Sequence, residues 1–459
     1  MRLIILLVSI LTIYFNNGYS QDILPKVYLT GDFGNDYQRG VFRIVYADGT
    51  TEQNLTGNIK WRGGTTNAEG KHKRNYKIKF DEDQQFFGLR SDNKWILDAG
   101  QADVFRLRNH IATELWNDFA HKPYYDKENK IYTGVRGKVV ELYLNEEYRG
   151  IYCLTECIDR KQLSLKKYDK NNNKIHGGLW KADQWGNSLM YDVIPYDNTQ
   201  ERWGAFEVKY PELDDVEETD YSTLYNAISF VANSTDEEFK NNIHKYFDMP
   251  VIIDYYIFLH VLNAFDNTGK NMYWAVYDKE TDKKITLAVW DLDGTVGQKW
   301  IEKWVPNATS PELEVENNLN LYVRLKKLNA NNFNQKVLER YSELRKNILS
   351  TDNLINRYEY YYQLIKDCGA AEREEQKWSE DTDIDGRVLN FESEYNDIVN
   401  WITKHMEFLD NNVFIETTNI CNIPFSNNNN KKIYNIEGKQ IKKLQKNINI
   451  INRKKVIIK

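Results

Sequence analysis

Leu262–Gly297 reads LNAFDNTGKNMYWAVYDKETDKKITLAVWDLDGTVG, and its alternation of apolar runs and acidic ends sets the expected fold. Asn271–Asp278 (NMYWAVYD) and Ile285–Asp291 (ITLAVWD) are rich in aromatic and β-branched residues, which favour strands. The polar connector KETDKK between them marks an antiparallel hairpin. A turn centred near Thr281 places Asn271 opposite Asp291 at the open end, with Cβ atoms about 5 Å apart. Asp293 follows two residues on, on the same face, and Asp266 sits in the loop that enters the first strand. Three carboxylates and an amide at one corner are hard oxygen donors, the kind that hold magnesium.

The spacing sharpens this expectation. Asp266 and Asn271 reproduce the D-x-x-x-x-N of the protein-kinase catalytic loop, where the Asp takes the substrate hydroxyl proton and the Asn holds a metal ion. Trp290–Gly294 (WDLDG) stands where kinases carry their second acidic metal ligand. Taken alone the pattern is weak, because an Asp at a strand end also serves as a turn former.

Outward from the hairpin, further segments occur in a fixed order: IKWRGGTTNAEGKHKRNYKIKF (Ile59–Phe80), WILDAGQADVFRLRNHIATEL (Trp95–Leu115), VELYLNEEYRGIYCLTECID (Val140–Asp159), FEVKYP (Phe206–Pro211), EREEQKW (Glu372–Trp378) and WITKHMEFLD (Trp401–Asp410). With the hairpin they resemble the CotH family of atypical secreted kinases over roughly residues 25–412. The resemblance implies an α+β, protein-kinase-like bilobal fold, with a β-rich N-lobe at about 25–160 and a helical C-lobe at about 206–412. It also implies ATP and Mg2+ as cofactors and phosphoryl transfer to hydroxyl side chains of proteins.

Within that resemblance, Asp266 is the expected catalytic base. Asn271 and Asp291 are the expected metal ligands, with Asp293 as the alternative or second acidic ligand. Lys77 and Lys79 share a strand face opposite Tyr76, Ile78 and Phe80, and either could be the phosphate-binding lysine; Lys73 is a further candidate. Glu114 could pair with that lysine. Thr155–Ile158 resembles the connection between lobes, with Glu156 as a cofactor-binding residue. No G-x-G-x-x-G loop is present. Trp61–Thr66 (WRGGTT) is the nearest substitute, since two glycines allow close backbone approach and Arg62 can meet phosphate.

The whole chain fits an exported protein. At 459 residues it can bury a large core in two or three domains. A formal charge of −6 gives no bulk attraction to nucleic acid or anionic membranes. Met1–Ser20 carries Arg2, the apolar run Leu3–Phe15 and a small, polar end, the makings of a secretory signal peptide. That run is too short to span a bilayer, and no later stretch is long enough. Cys153 and Cys157 lie about 13 Å apart along one expected strand, beyond disulfide reach, so buried free thiols are expected. Residues 168–187 read as a polar, loop-rich insertion, and the helical pattern takes over from Tyr221.

At the far end, 413–431 reads as a linker and 432–459 as a small β-module. The module resembles the C-terminal sorting domain of type IX secretion, with Asn447 and Arg453 standing where glycines are usual. It implies a secreted or cell-surface protein and contact with secretion machinery. The rival reading is a non-catalytic surface or assembly protein that keeps a kinase-like scaffold to bind protein or polysaccharide.

Overall fold

The computed structural model describes residues 24–52, 54–64, 71–298, 308–309, 318–382 and 386–415, with the backbone of short strands within 433–458. The expected signal peptide, Met1–Ser20, lies outside the described residues.

The first half forms a closed barrel. Its strands are β1 (Lys26–Thr30), β2 (Gln38–Val45), β3 (Leu55–Arg62), β4 (Asn75–Gln84), β5 (Asp92–Asp98), β6 (Gly137–Leu144) and β7 (Glu147–Thr155). They run in the order β1-β2-β3-β4-β5-β7-β6, and a parallel β1–β6 pairing, with Lys26 opposite Glu141, closes the ring. Alternation along each strand sends one set of side chains inward: Phe42, Ile59, Ile78, Trp95, Leu142 and Leu154 are buried there. Each such side chain contributes about 1.5–3 kcal/mol of hydrophobic stabilisation. Asn145 and Glu146 join β6 to β7 with φ of 51° and 64°, the two left-handed residues of a tight hairpin turn.

Helix α1 (Arg108–Phe119) leaves the end of β5. It starts four residues later than the apolar spacing from Val104 indicates. Asp103 accounts for this: its carboxylate accepts from the backbone N–H groups of Phe105 and Arg108 at 2.8 Å each, holding 103–107 in a turn.

A second, antiparallel sheet has the order β12-β11-β8-β10-β9. Its members are β8 (Gly178–Ala182), β9 (Arg202–Trp203), β10 (Phe206–Tyr210), β11 (Met272–Val276) and β12 (Thr286–Val289). Strand β8 lies within the segment 168–187 expected to be a loop-rich insertion: GLWKA is a central strand, hydrogen-bonded on one side to β10 and on the other to β11.

The rest of this unit is helical: α2 (Ser222–Asn233), α3 (Asp236–Asn242), α4 (Met249–Leu262), α5 (Asn320–Leu328), α6 (Phe333–Arg345), α7 (Thr351–Asp367), α8 (Ala370–Lys377) and α9 (Phe391–Phe408). Thr235 and Glu238 form a reciprocal capping box at the start of α3, satisfying two otherwise unpaired N–H donors. Helix α4, with Pro250 in its first turn, is apolar on all faces and buried along nearly its whole length, as a core helix is. The sheet-rich first half and helical second half bear out the α+β expectation.

Leu409–Lys459 is a separate compact unit. Its described backbone forms a four-stranded antiparallel sheet, β14-β13-β15-β16, from β13 (Ile433–Asn435), β14 (Gln440–Ile441), β15 (Asn447–Ile451) and β16 (Lys454–Ile458).

Candidate active site

Every residue of strands β11 and β12 is buried. Met272 pairs with Val289 and Ala275 with Thr286, a register one residue off the sequence expectation, so Asn271 comes level with Trp290. The ladder ends there, and the chain turns sharply on both sides. Asn271 and Asp291 have φ of 54° and 59°, the left-handed region that Asn and Asp tolerate better than most side chains. Asn267 holds the two ends together. Its buried Nδ2 donates to the carbonyls of Trp290 at 2.8 Å, Asn271 at 3.2 Å and Asp291 at 3.3 Å, while the Tyr255 hydroxyl donates to its carbonyl at 2.7 Å.

Beyond this end opens a cavity of about 300 Å3 whose walls include Asp266, Asn271, Asp291, Asp293, Asp98 and Lys181. The four acidic-corner residues read from sequence therefore share one space. Asn271 Nδ2 donates to Asp266 Oδ2 at 2.7 Å, and Lys270 Nζ lies 2.8 Å from Oδ1. Burial raises the Asp266 carboxyl, against the pull of Lys270 and Asn271. Asp291 opens onto the cavity, and enclosure there raises its carboxyl against the opposing charges of Lys181 and Arg62. Asp293 is pushed well up, first by burial and then by the charges of Asp291, Asp103, Asp98 and Asp266.

Crowded carboxylates of this kind invite a cation. The Asn271 amide spends its N–H on Asp266 and keeps its oxygen as the donor for one. Among the described residues, no three of His, Cys, Asp and Glu converge on a common metal position. A cation here would take one or two protein oxygens and complete its shell with phosphate or water, the habit of magnesium.

The outer face of the barrel forms the opposite wall. One cross-strand row runs Lys60, Lys77, Ile96, Thr155. Along the same face, Arg62 pairs with Asn75 and Asp98 with Cys153. A second cavity, of about 400 Å3, is lined by Lys60, Lys77, Lys94, Lys209, Cys157 and Tyr273 among others. Arg62, Gly63, Ile96, Lys181 and Trp290 line both cavities. The Arg62 guanidinium sits 5.1 Å from the Trp290 ring centre. Gly63 has φ of 101°, a backbone state that excludes side chains and lets the strand end bend over the cavity.

The other expected residues divide. Lys77 faces the second cavity, where burial lowers its pKa. Lys79, paired across the strands with Asn58 and Lys94, is exposed and lines neither cavity. Lys73 is fully buried, 2.6 Å from Glu374 and 2.7 Å from the Ile151 carbonyl, and cannot reach either cavity. Glu114 pairs with His110 at 3.3 Å rather than with a lysine. The Glu156 carboxylate accepts from Arg136 at 2.7 and 3.1 Å and from the Arg90 N–H at 3.0 Å. It braces the connecting segment, whose neighbours Thr155 and Cys157 line the two cavities. Cys153 and Cys157 are buried free thiols, as expected.

Sequence reasoning missed Asn267, Lys181 and Asp98. Asn267 adjoins Asp266 and was open to notice. Lys181 was hidden in the segment read as loop, and Asp98 in an apolar strand pattern.

With this geometry in hand, a family model described as CotH kinase protein matches residues 59–409. The chain belongs to the CotH kinase family and is a kinase-like protein. No curated protein matches it. Among the described residues, no helix is long and apolar enough to cross a membrane.

Proposed function

We propose that this chain is an exported, CotH-type protein kinase that moves the γ-phosphoryl group of ATP to hydroxyl side chains of secreted or surface proteins. The observation that carries the reading is the Asn271–Asp266 hydrogen bond beside Asp291 in one cavity. In this reading the barrel is the N-lobe, and the second sheet with its helices is the C-lobe of a kinase-like fold.

Phosphoryl transfer asks little covalent chemistry of the protein and much positioning. Asp266 accepts the proton of the attacking hydroxyl as the new oxygen–phosphorus bond forms and the bond to the β,γ-bridging oxygen breaks. Lys270 and Asn271 hold the Asp266 carboxylate in place and favour its charged form against burial. The oxygens of Asn271 and Asp291, with Asp293 as the alternative ligand, would hold Mg2+. That ion, when bound, neutralises charge on the phosphates. Arg62 and Lys77 supply positive charge along the groove, and Glu156 fixes the connecting strand. Met1–Ser20 acts as signal peptide, and the sheet at 433–458 as a type IX secretion sorting module. In this reading the protein works outside the cell or on its surface.

The test is transfer of radiolabelled phosphate from ATP with magnesium to a mixture of secreted proteins, or to the chain itself, by intact protein and by Asp266→Ala. Label with the intact protein and none with the variant is expected. Equal labelling would remove Asp266 from the mechanism, and absence of nucleotide binding would favour the non-catalytic scaffold.

A further inference from the structure

The kinase-like reading needs a cation on the non-transferred phosphates, and the barrel does not supply it in the usual place. In protein kinases a strand lysine is tied to a glutamate on the neighbouring helix. Here β5 runs directly toward α1, and its cavity-facing residues are Lys94, Ile96 and Asp98. The strand-to-helix tie is Asp98 with Asn109, whose Nδ2 donates to Asp98 Oδ2 at 2.6 Å. Neither partner is cationic. Of the barrel lysines, Lys73 is sealed behind Glu374 and Lys79 lies outside both cavities. Lys60 sits over the Tyr37 ring, and Lys60, Lys77 and Lys94 line only the second cavity.

We infer that Lys181, on β8 of the second sheet, is the phosphate-binding lysine, working with Arg62 from the barrel to grip a nucleoside triphosphate where the two cavities meet. This deepens the proposed function and rests on it. Lys181 and Arg62 are the two cationic side chains that line both cavities among the described residues. They come from opposite walls, β8 below and β3 above. A polyphosphate reaching from the basic cavity to Asp291 would cross the junction that these two side chains line.

The position of Lys181 is built. It is half-buried, stands level with Tyr273 of β11 on one side and Glu207 of β10 on the other, and its strand is the middle one of five. Glu207 is taken up by Lys209, which leaves the Lys181 ammonium to the cavity. Its charge acts on Asp291, the expected metal ligand, and both residues line the same cavity. Cationic charge in a partly desolvated cavity is worth more there than on the surface.

The experiment compares binding of ATP with magnesium, and of adenosine, to the intact full chain and to Lys181→Met, Lys181→Arg and Lys77→Met by calorimetry. Thermal unfolding of each variant confirms its fold. We expect Lys181→Met to weaken ATP binding at least tenfold with adenosine unchanged, Lys181→Arg to recover much of the loss, and Lys77→Met to weaken ATP binding by less than Lys181→Met does. A folded Lys181→Met that binds ATP like the intact chain overturns the assignment alone, as does a larger loss in Lys77→Met. Failure of the intact chain to bind ATP at all removes both this assignment and the reading beneath it.

Discussion

The side-chain amide of Asn271 donates to the carboxylate of Asp266 at 2.7 Å, so the proposed metal-binding residue also orients the proposed general base. Loss of the Asn271 amide should therefore disturb both functions. For Asp266→Asn we expect ATP binding to persist and phosphoryl transfer to fall about 10²–10⁴-fold, the usual worth of a general base. Paired binding and transfer assays check this, and intact transfer would refute it.

Asp291 and Asp293 differ in setting. Asp291 opens to the cavity, while burial and four neighbouring carboxylates push Asp293 up. A metal ligand must be ionised, so Asp291→Ala should weaken magnesium-dependent ATP binding more than Asp293→Ala does. Titration of magnesium at fixed nucleotide gives the order, and the reverse order would exchange the two roles.

Asn267 lines neither of the two cavities, yet its Nδ2 joins three carbonyls across the hairpin end. In Asn267→Ala these lose a shared donor, at a cost of about 1–3 kcal/mol. Asn271 and Asp291 should then lose their fixed separation. We expect a modest fall in melting temperature with a tenfold or greater fall in magnesium affinity; unchanged affinity would make Asn267 purely structural.

Gly150 is where a β-carbon would sit 1.9 Å from Glu374 Oε2, with φ at 104°. Glu374 accepts from the Ile151 N–H at 2.8 Å and binds both Lys73 and Arg106, so it cannot step aside. Gly150→Ala should cost about 2–5 kcal/mol from backbone strain and overpacking together. Denaturant unfolding measures it, and a loss below 1 kcal/mol (about the effect of an ordinary substitution) would contradict the crowding.

Burial raises the Asp248 carboxyl to about 6, although it accepts the Tyr124 N–H at 2.8 Å. Its unfolded value is about 3.9. The native state thus holds this proton more tightly. Its contribution to stability is fully present below about pH 4 and is lost as pH rises through about 6. Asp248→Asn keeps an acceptor for Tyr124 and removes the charge, so it should flatten the fall in stability between those limits, by at most about 3 kcal/mol. Melting curves across pH 4–8 decide it, and identical slopes in the two proteins would exclude Asp248 as the source.

The hairpin and its acidic corner were legible because β11 and β12 are aromatic and β-branched throughout and the turn between them is polar. Register was missed by one residue: the isolated bridge between Asp278 and Asp282 centres the turn just before Thr281. Thr235 and Glu238 announced the start of α3, since capping is a local interaction. Strand β8 gave no such sign. Five residues in polar surroundings become central only because β10 and β11 arrive from elsewhere in the chain. The same holds for Lys73, whose alternation resembles that of Lys77 and whose fate depends on Glu374 in a distant helix. Barrel closure through β1 and β6 is likewise non-local, and no periodicity encodes it.

The Lys73–Glu374–Arg106 cluster is sealed from solvent, whereas Lys60, Lys77 and Lys181 border open grooves. Dissolved ions screen exposed charges strongly and enclosed ones little. Changes in ionic strength should accordingly leave the framework rigid while tuning how tightly an anion is held, giving the molecule a chassis indifferent to brine and a mouth that tastes it.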